Sequence, residues 1–213
     1  MRIRLGERLN TVLSLIEGGR VCDVGTDHGK LPVAALLSGR VSEAIAIDIS
    51  AKSLAKARLL AEQEGVPLRC LQGDGLTPLS EKQTDTVVIA GMGGAETVKI
   101  LSEAPCTFSK YIFVPHKNAP LVRKYLKDNN ARITHDIAVK EDKHFYFVIE
   151  ADPSLSWQEK SLYFGEEGAA FSEYRAWRLQ KIEHLLSLKE DPSLREEKEE
   201  LSHAHPATDR AES

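Results

Sequence analysis

The chain is predicted to be an α/β protein with a mainly parallel sheet, and three observations carry that expectation. Between residues 20 and 150 short apolar runs alternate with amphipathic stretches, the pattern of strands exchanged with helices around a sheet. The first of these runs passes through a glycine-bearing turn, VCDVGTDHGKLP at residues 21–32, into a helical pattern. The last two runs are separated only by a polar turn around KEDK, too short for a crossover helix, so the last strand should run antiparallel to its neighbour.

Each element has its own justification. Leu5, Leu9, Val12, Leu13 and Ile16 share one helical face ahead of the sheet, with Arg2, Arg4 and Arg8 mostly away from it. The expected strands are RVCDVGT, EAIAIDI, LRCLQGD, DTVVIAG, YIFVPH, RITHDIAV and HFYFVIEA. Between the second and third lies a crossover helix with Ser50 as N-cap, Leu54, Leu59 and Leu60 inward, and Gly65 as its stop. After Pro153 the composition changes. SWQE reads as a capping box of Ser156 and Glu159 opening a helix that should stop near Gly165. A longer helix follows, with Leu179, Ile182 and Leu186 at helical spacing and Arg175, Arg178 and Lys181 on other faces. Together these two helices would form an antiparallel hairpin. Beyond it, a capping box at Ser193 and Glu196 has few apolar anchors, so a frayed helix and loose tail are expected, with His203 and His205 exposed rather than paired on a metal. The expected divisions are residues 1–152 for the sheet domain, 153–190 for the helical extension and 191–213 for the tail.

Bulk properties narrow the functions. The net charge of −4 over 213 residues argues against a broad, sequence-independent grip on nucleic acid, though not against a local basic face. No apolar run is long enough to cross a bilayer and the start lacks a secretory pattern, so a soluble, cytoplasmic protein is expected. Cys22, Cys70 and Cys106 are far apart and form no C-x-x-C pair; they read as small buried hydrophobes, and no metal site is expected.

The glycine turn is informative because a strand precedes it and a helix follows. Gly25 and Gly29 allow the chain to turn tightly against a ligand, but a carboxylate at Asp27 would repel a pyrophosphate at the helix N-terminus. This disfavours NAD or FAD. S-adenosylmethionine carries ammonium and sulfonium cations and no phosphate, so Asp23 or Asp27 beside it is electrostatically sensible. Asp48 ends the second strand about 20 residues beyond the turn, where an acid can accept from both ribose hydroxyls. In GDGL, Asp74 is placed to accept from an adenine amino group while Gly73 and Gly75 leave room for the ring; the competing reading is a polar turn with no ligand. In AGMGGAE, Gly91, Gly93 and Gly94 clear side chains from the sheet's carboxyl edge, and Met92 is either packing or pocket wall. VPHKN brings His116 to the same edge, either to orient a substrate or as an ordinary loop histidine.

With LGERLNTV, DVGTDHGKLP, GDGL, AGMGG and HFYFVIE together, the chain resembles the bacterial TrmK family of tRNA (adenine(22)-N1)-methyltransferases. The resemblance implies a class I Rossmann-like methyltransferase domain with a C-terminal, coiled-coil-like helical hairpin. It also implies S-adenosylmethionine as cofactor and tRNA as partner, with no obligate protein partner. Asp23, Gly25, Asp48 with the adjoining Ile49, Asp74 and the turn from Gly91 to Gly94 would surround the cofactor, and Asp27 and His28 would lie where donor and target base meet. Where that family commonly has Gln-Pro-Asn, this sequence has Val114-Pro115-His116. The arginine-bearing leading helix and the basic side of the hairpin are the expected RNA contacts. Three rivals stand beside this reading: the same fold acting on another RNA site or a small molecule, a non-catalytic binding protein, and a nicotinamide oxidoreductase, which Asp27 opposes.

Overall fold

A computed structural model describes residues 3–80 and 83–206, so Arg2 and the final residues of the expected tail lie outside the described residues. The elements in chain order are α1 (Glu7–Leu15), β1 (Arg20–Val24), α2 (Lys30–Leu37), β2 (Glu43–Asp48), α3 (Ala51–Glu64), β3 (Leu68–Gln72) and β4 (Thr86–Ala90). They continue with α4 (Gly94–Ser102), β5 (Lys110–Val114), α5 (Ala119–Asp128), β6 (Arg132–Glu141), β7 (His144–Asp152), α6 (Phe171–Leu188) and α7 (Pro192–His203). Seven strands form one sheet in the order β3-β2-β1-β4-β5-β7-β6. The first five are mutually parallel, and β7 lies antiparallel between β5 and β6.

The strands are legible because both faces of the sheet are covered. β1, β2, β4 and β5 bury nearly every residue, so they read as continuous apolar runs rather than alternating ones. Chain order reverses between β1 and β4, which opens a crevice at their carboxyl ends.

α3 starts on Ser50, whose hydroxyl accepts from Ser53 N, and ends on Gly65 in the left-handed region, as expected. Its inward face differs from the expected one. Leu54 is buried, but Leu59 is 55% exposed and Leu60 half-buried, while Ala57 and Ala61 face inward. The cause is close approach: Ala57 sits so near Gly29 that a Cβ on the glycine would lie 2.7 Å from the alanine methyl, leaving no room for leucine on that line.

The helix expected from Ser156 to Gly165 is absent. Its capping groups have tertiary partners instead: Arg132 Nε donates to the Ser156 carbonyl at 3.0 Å, and Lys127 Nζ pairs with Glu159 at 2.9 Å. The stretch runs as a strap along β6, where Ala138 N donates to the Glu167 carbonyl at 2.7 Å. Arg123 holds the strap from below. It is wholly buried, clamps Asp136 through two bonds of 2.7 and 2.9 Å, and donates to the Tyr163 carbonyl at 3.3 Å.

The hairpin is therefore built from α6 and α7. α7 is an ordered helix whose N-cap is Asp191, which accepts from Ser193 N and Leu194 N, rather than a Ser193–Glu196 box. Glu196 accepts from the Tyr163 hydroxyl at 2.9 Å. The two helices run antiparallel, with Arg178 on Glu197 at 2.6 Å and Arg175 donating to the Leu201 and Ser202 carbonyls at 2.8 and 2.7 Å. Phe164, Phe171, Tyr174, Ile182 and Leu201 join the same apolar cluster as Phe113 and Phe147. The core thus crosses the division expected at residue 152 without a break. Leu201→Ala should lower stability by about 2–5 kcal/mol, read from denaturant unfolding, because its fully buried side chain leaves a cavity between hairpin and sheet. A loss as small as that of an exposed site would mean that α7 packs loosely.

Candidate active site

The carboxyl ends of β1, β2 and β4 converge on a crevice with two lobes. The first, about 320 Å³, is lined by Asp48, Ile49, Gly73, Asp74, Gly75, Met92 and Glu96 among others. The second, about 350 Å³, is lined by Arg8, Asp23, Thr26, Asp27, His28, Lys30 and His116 among others. Gly25, Ala90 and Gly91 line both lobes, so a molecule filling one meets a molecule filling the other over these residues.

The turn after β1 is set by backbone bonds. Gly25 N and Thr26 N both donate to the Ile47 carbonyl, at 2.8 and 3.1 Å, folding the turn over β2. Gly25 has φ +76°, a left-handed conformation, and a Cβ there would collide with Met92 Cε. The conformation demands glycine, while the methionine methyl, at the end of a flexible side chain, can turn aside. Gly94, at the start of α4, lies so close to the Asn118 carbonyl that a side chain would drive the β4 and β5 loops apart. Gly93 and Gly94 do not line either lobe; they pack beside Lys117 and Asn118.

The acids differ in setting. Asp23 is buried, and burial pushes its carboxyl up to about 6; the nearby Thr26 hydroxyl opposes that rise and the Asp48 charge adds to it. One Asp48 oxygen accepts from Ser50 N at 2.7 Å, which orients the carboxylate at the mouth of the first lobe. Ile49 beside it is 70% exposed, an apolar face turned to the crevice. Asp74 is exposed on the far rim, its carbonyl accepting from Thr77. Asp27 is exposed, with its Oδ2 2.6 Å from His28 Nδ1 and its Oδ1 3.5 Å from Lys56 Nζ. His116 is exposed at the rim of the second lobe, where partial burial and then the Arg8 charge hold its pKa below the ordinary histidine value.

The expected site residues are thus gathered at one edge, with Gly93 and Gly94 outside the lobes. Sequence reasoning missed Arg8, Thr26, Lys30 and Glu96 as lining residues. Position in the turn was a signal for Thr26 and Lys30; nothing local marked Arg8, which arrives from α1. A larger cavity of about 550 Å³ lies under the strap, lined by Asp136, Glu159, Lys160 and Glu167. Asp136, Glu159 and Glu167 there are engaged with Arg123, Lys127 and His135.

The sequence family described as "Methyltransferase domain" matches residues 5–149, the whole span from α1 to β7 that builds this crevice. The chain belongs to that methyltransferase family. The methyltransferase is 31% identical over 156 residues to the tRNA (adenine(22)-N(1))-methyltransferase of Bacillus subtilis, an alignment covering 70% of this chain and 66% of that relative. Less than two thirds of the curated relative is therefore spanned. The crystal structure of the B. subtilis m1A22 tRNA methyltransferase TrmK is 25% identical with a TM-score of 0.76, covering 94% of this chain and 95% of that one. M. capricolum TrmK, solved with S-adenosyl-homocysteine, is alike in fold at 22% identity, with a TM-score of 0.82 over 93% of this methyltransferase and 96% of that chain. These likenesses include the C-terminal helices, since they extend beyond residue 149.

Proposed function

We propose that this methyltransferase moves the methyl group of S-adenosylmethionine to N1 of adenine 22 in tRNA, in the cytoplasm. The observation that carries the reading is the two-lobed crevice whose shared floor, Gly25, Ala90 and Gly91, bears nothing larger than a methyl group and whose walls carry Asp23, Asp27, Asp48 and Asp74. The named B. subtilis relative supports the same choice of substrate.

The residues present fit the donor. Asp48 keeps one oxygen clear of its Ser50 bond for ribose hydroxyls, and the exposed face of Ile49 would be covered by a flat adenine. Asp74 is placed for the adenine amino group, while Asp23 would meet the cationic end. When bound, S-adenosylmethionine supplies an electrophilic methyl group. N1 of neutral adenine already has a lone pair, so the chain needs to align the base more than to remove a proton. The methylated ring is cationic, and the Asp27 carboxylate, accepting from the adenine amino group, would stabilise that charge as it develops. His28 holds Asp27 in place.

Several of the cations expected to meet RNA have partners within the protein. Arg8 is paired with Glu141, and Arg175 and Arg178 bind α7, so the leading helix and the hairpin offer fewer cations than their composition promised. Exposed Lys30 and Lys117 at the crevice rim are better placed to meet phosphates while the target base leaves its stack.

Incubating the protein with unmodified tRNA and S-adenosylmethionine, then mapping modified nucleosides by mass spectrometry, should place 1-methyladenosine at position 22. Donor binding without any methylated RNA would defeat the reading. Asp23 adds a pH signature. Its folded value lies above the ordinary 3.8, so between about pH 4 and 6 the folded chain keeps a proton that the unfolded chain has released. Stability accordingly falls as pH rises through that window and is level above it. Affinity for the cationic donor runs the opposite way: calorimetry should show it weakening below about pH 6 by up to about tenfold per unit, a slope that Asp23→Asn removes.

A further inference from the structure

The wall of the second lobe opposite Asp27 is built by parts of the chain that the glycine turns do not reach. Glu141, at the end of β6, takes the place of a side-chain cap on α1. The N-cap Gly6 offers no such bond, while Arg8 N donates to Glu141 Oε2 at 3.1 Å and Arg8 Nε to Oε1 at 3.1 Å. Gly6 is needed for this approach, since any Cβ there would strike the Glu141 carboxylate. The Arg8 guanidinium so pinned lies over the Tyr146 ring, 5.1 Å from its centroid. Two imidazoles also face that ring: His116 meets it edge-on at 6.0 Å, and exposed His144 stands 6.4 Å away. Tyr146 is half-buried and packs on the apolar cluster of β5 and β7. A Cβ at Gly91 would lie 3.5 Å from His116 Nε2, so that nitrogen faces the floor common to both lobes.

We propose that Tyr146 is a positioning residue which, braced by Arg8 and Glu141, holds the His116 ring over Gly91 so that its free nitrogen accepts a hydrogen bond from the exocyclic amino group of the target adenine. The inference rests on the tRNA reading above and deepens it. A neutral imidazole keeps one lone pair, and the burial and Arg8 charge that lower the His116 pKa preserve that state at neutral pH. The adenine amino group has two hydrogens, so His116 and Asp27 can each accept one, from opposite walls of the lobe. A base with a carbonyl in place of the amino group would set two lone pairs against each other, which gives the site a means of rejecting it.

The test measures tRNA dissociation constants in the presence of S-adenosyl-homocysteine, for wild type, Tyr146→Phe, Tyr146→Leu, His116→Phe and the Tyr146→Leu/His116→Phe pair. Two tRNAs are used, one with adenosine and one with purine riboside, which lacks the amino group, at the target position. On the adenosine tRNA, Tyr146→Leu and His116→Phe should each bind about tenfold more weakly, the worth of one good hydrogen bond, and the pair no more weakly than either alone. Tyr146→Phe should stay near wild type, and donor affinity should be unchanged in all four. On the purine tRNA the gap between wild type and variants should close. His116 is exposed at the rim, so His116→Phe reports even if Tyr146→Leu folds poorly. Additive losses, or a gap that persists undiminished on the purine tRNA, would overturn the proposal while leaving the methylation reading intact. A wild-type protein that methylates no tRNA would overturn both.

Discussion

Arg123→Ala should destabilise the protein by about 3–5 kcal/mol, more than any single change in the crevice, because it strands a buried carboxylate. Arg123 is wholly buried, its guanidinium lies 4.6 Å from the centroid of Phe147, and Asp136 opposite it is 2% exposed. Removing the arginine leaves the buried Asp136 carboxyl without its partner and frees the carbonyls of Leu162 and Tyr163. The strap would then lose its hold on β6 and take the base of the hairpin with it. Denaturant unfolding followed by far-UV dichroism gives the magnitude. Arg123→Met combined with Asp136→Leu should recover much of the loss, since an apolar pair of similar volume needs no compensating charge. If Arg123→Ala unfolded within about 1 kcal/mol of wild type, the range of an ordinary exposed site, the strap would have to be held elsewhere.

Asp27→Asn should reduce methyl transfer by about a hundredfold while leaving donor affinity within a few-fold of wild type. The substitution keeps the shape of the side chain and removes only its charge, so the loss isolates stabilisation of the cationic product ring. Its neighbours are not structural dependants: Asp27 is exposed, and its partners His28 and Lys56 are exposed as well. Single-turnover methylation of tRNA measures the chemical step, and calorimetry measures donor binding. Turnover close to normal would shift that role to Asp23, the buried acid of the same lobe. Equal losses in turnover and donor affinity would instead make Asp27 a donor-binding group.

Much of the crevice was legible because its chemistry is local in sequence. Gly25, Asp27 and His28 lie in one turn; Asp48 and Asp74 each end a strand; Gly91 follows another. Parallel strands deliver their ends to the same edge, so naming the strands names the rim. Arg8 was expected on the RNA-facing side of the leading helix, and only its contact with Glu141, 133 positions away, turns it into a wall of the lobe. Gly94 was read as space for a ligand, and the nearness of the Asn118 carbonyl makes it a packing glycine.

Periodicity and turn chemistry by themselves determined the alternation of strands and helices from α1 to β7, the antiparallel ending, and most of the acids and glycines that face the crevice, Glu96 excepted, since an apolar run or a tight turn answers to its immediate neighbours. Only the tertiary structure decided the segment after Pro153. A capping box at Ser156 offers about 1 kcal/mol of local stabilisation, too little to hold a helix once Arg123, Lys127 and β6 bind the same stretch in extended form and Phe164 is drawn into the core. The apolar anchors missing from α7 when read alone are supplied from outside it: Leu201 is buried against the common core, and Glu197 is held by Arg178. Contacts that distant leave no periodic trace in the chain, and burial is what gives them their weight.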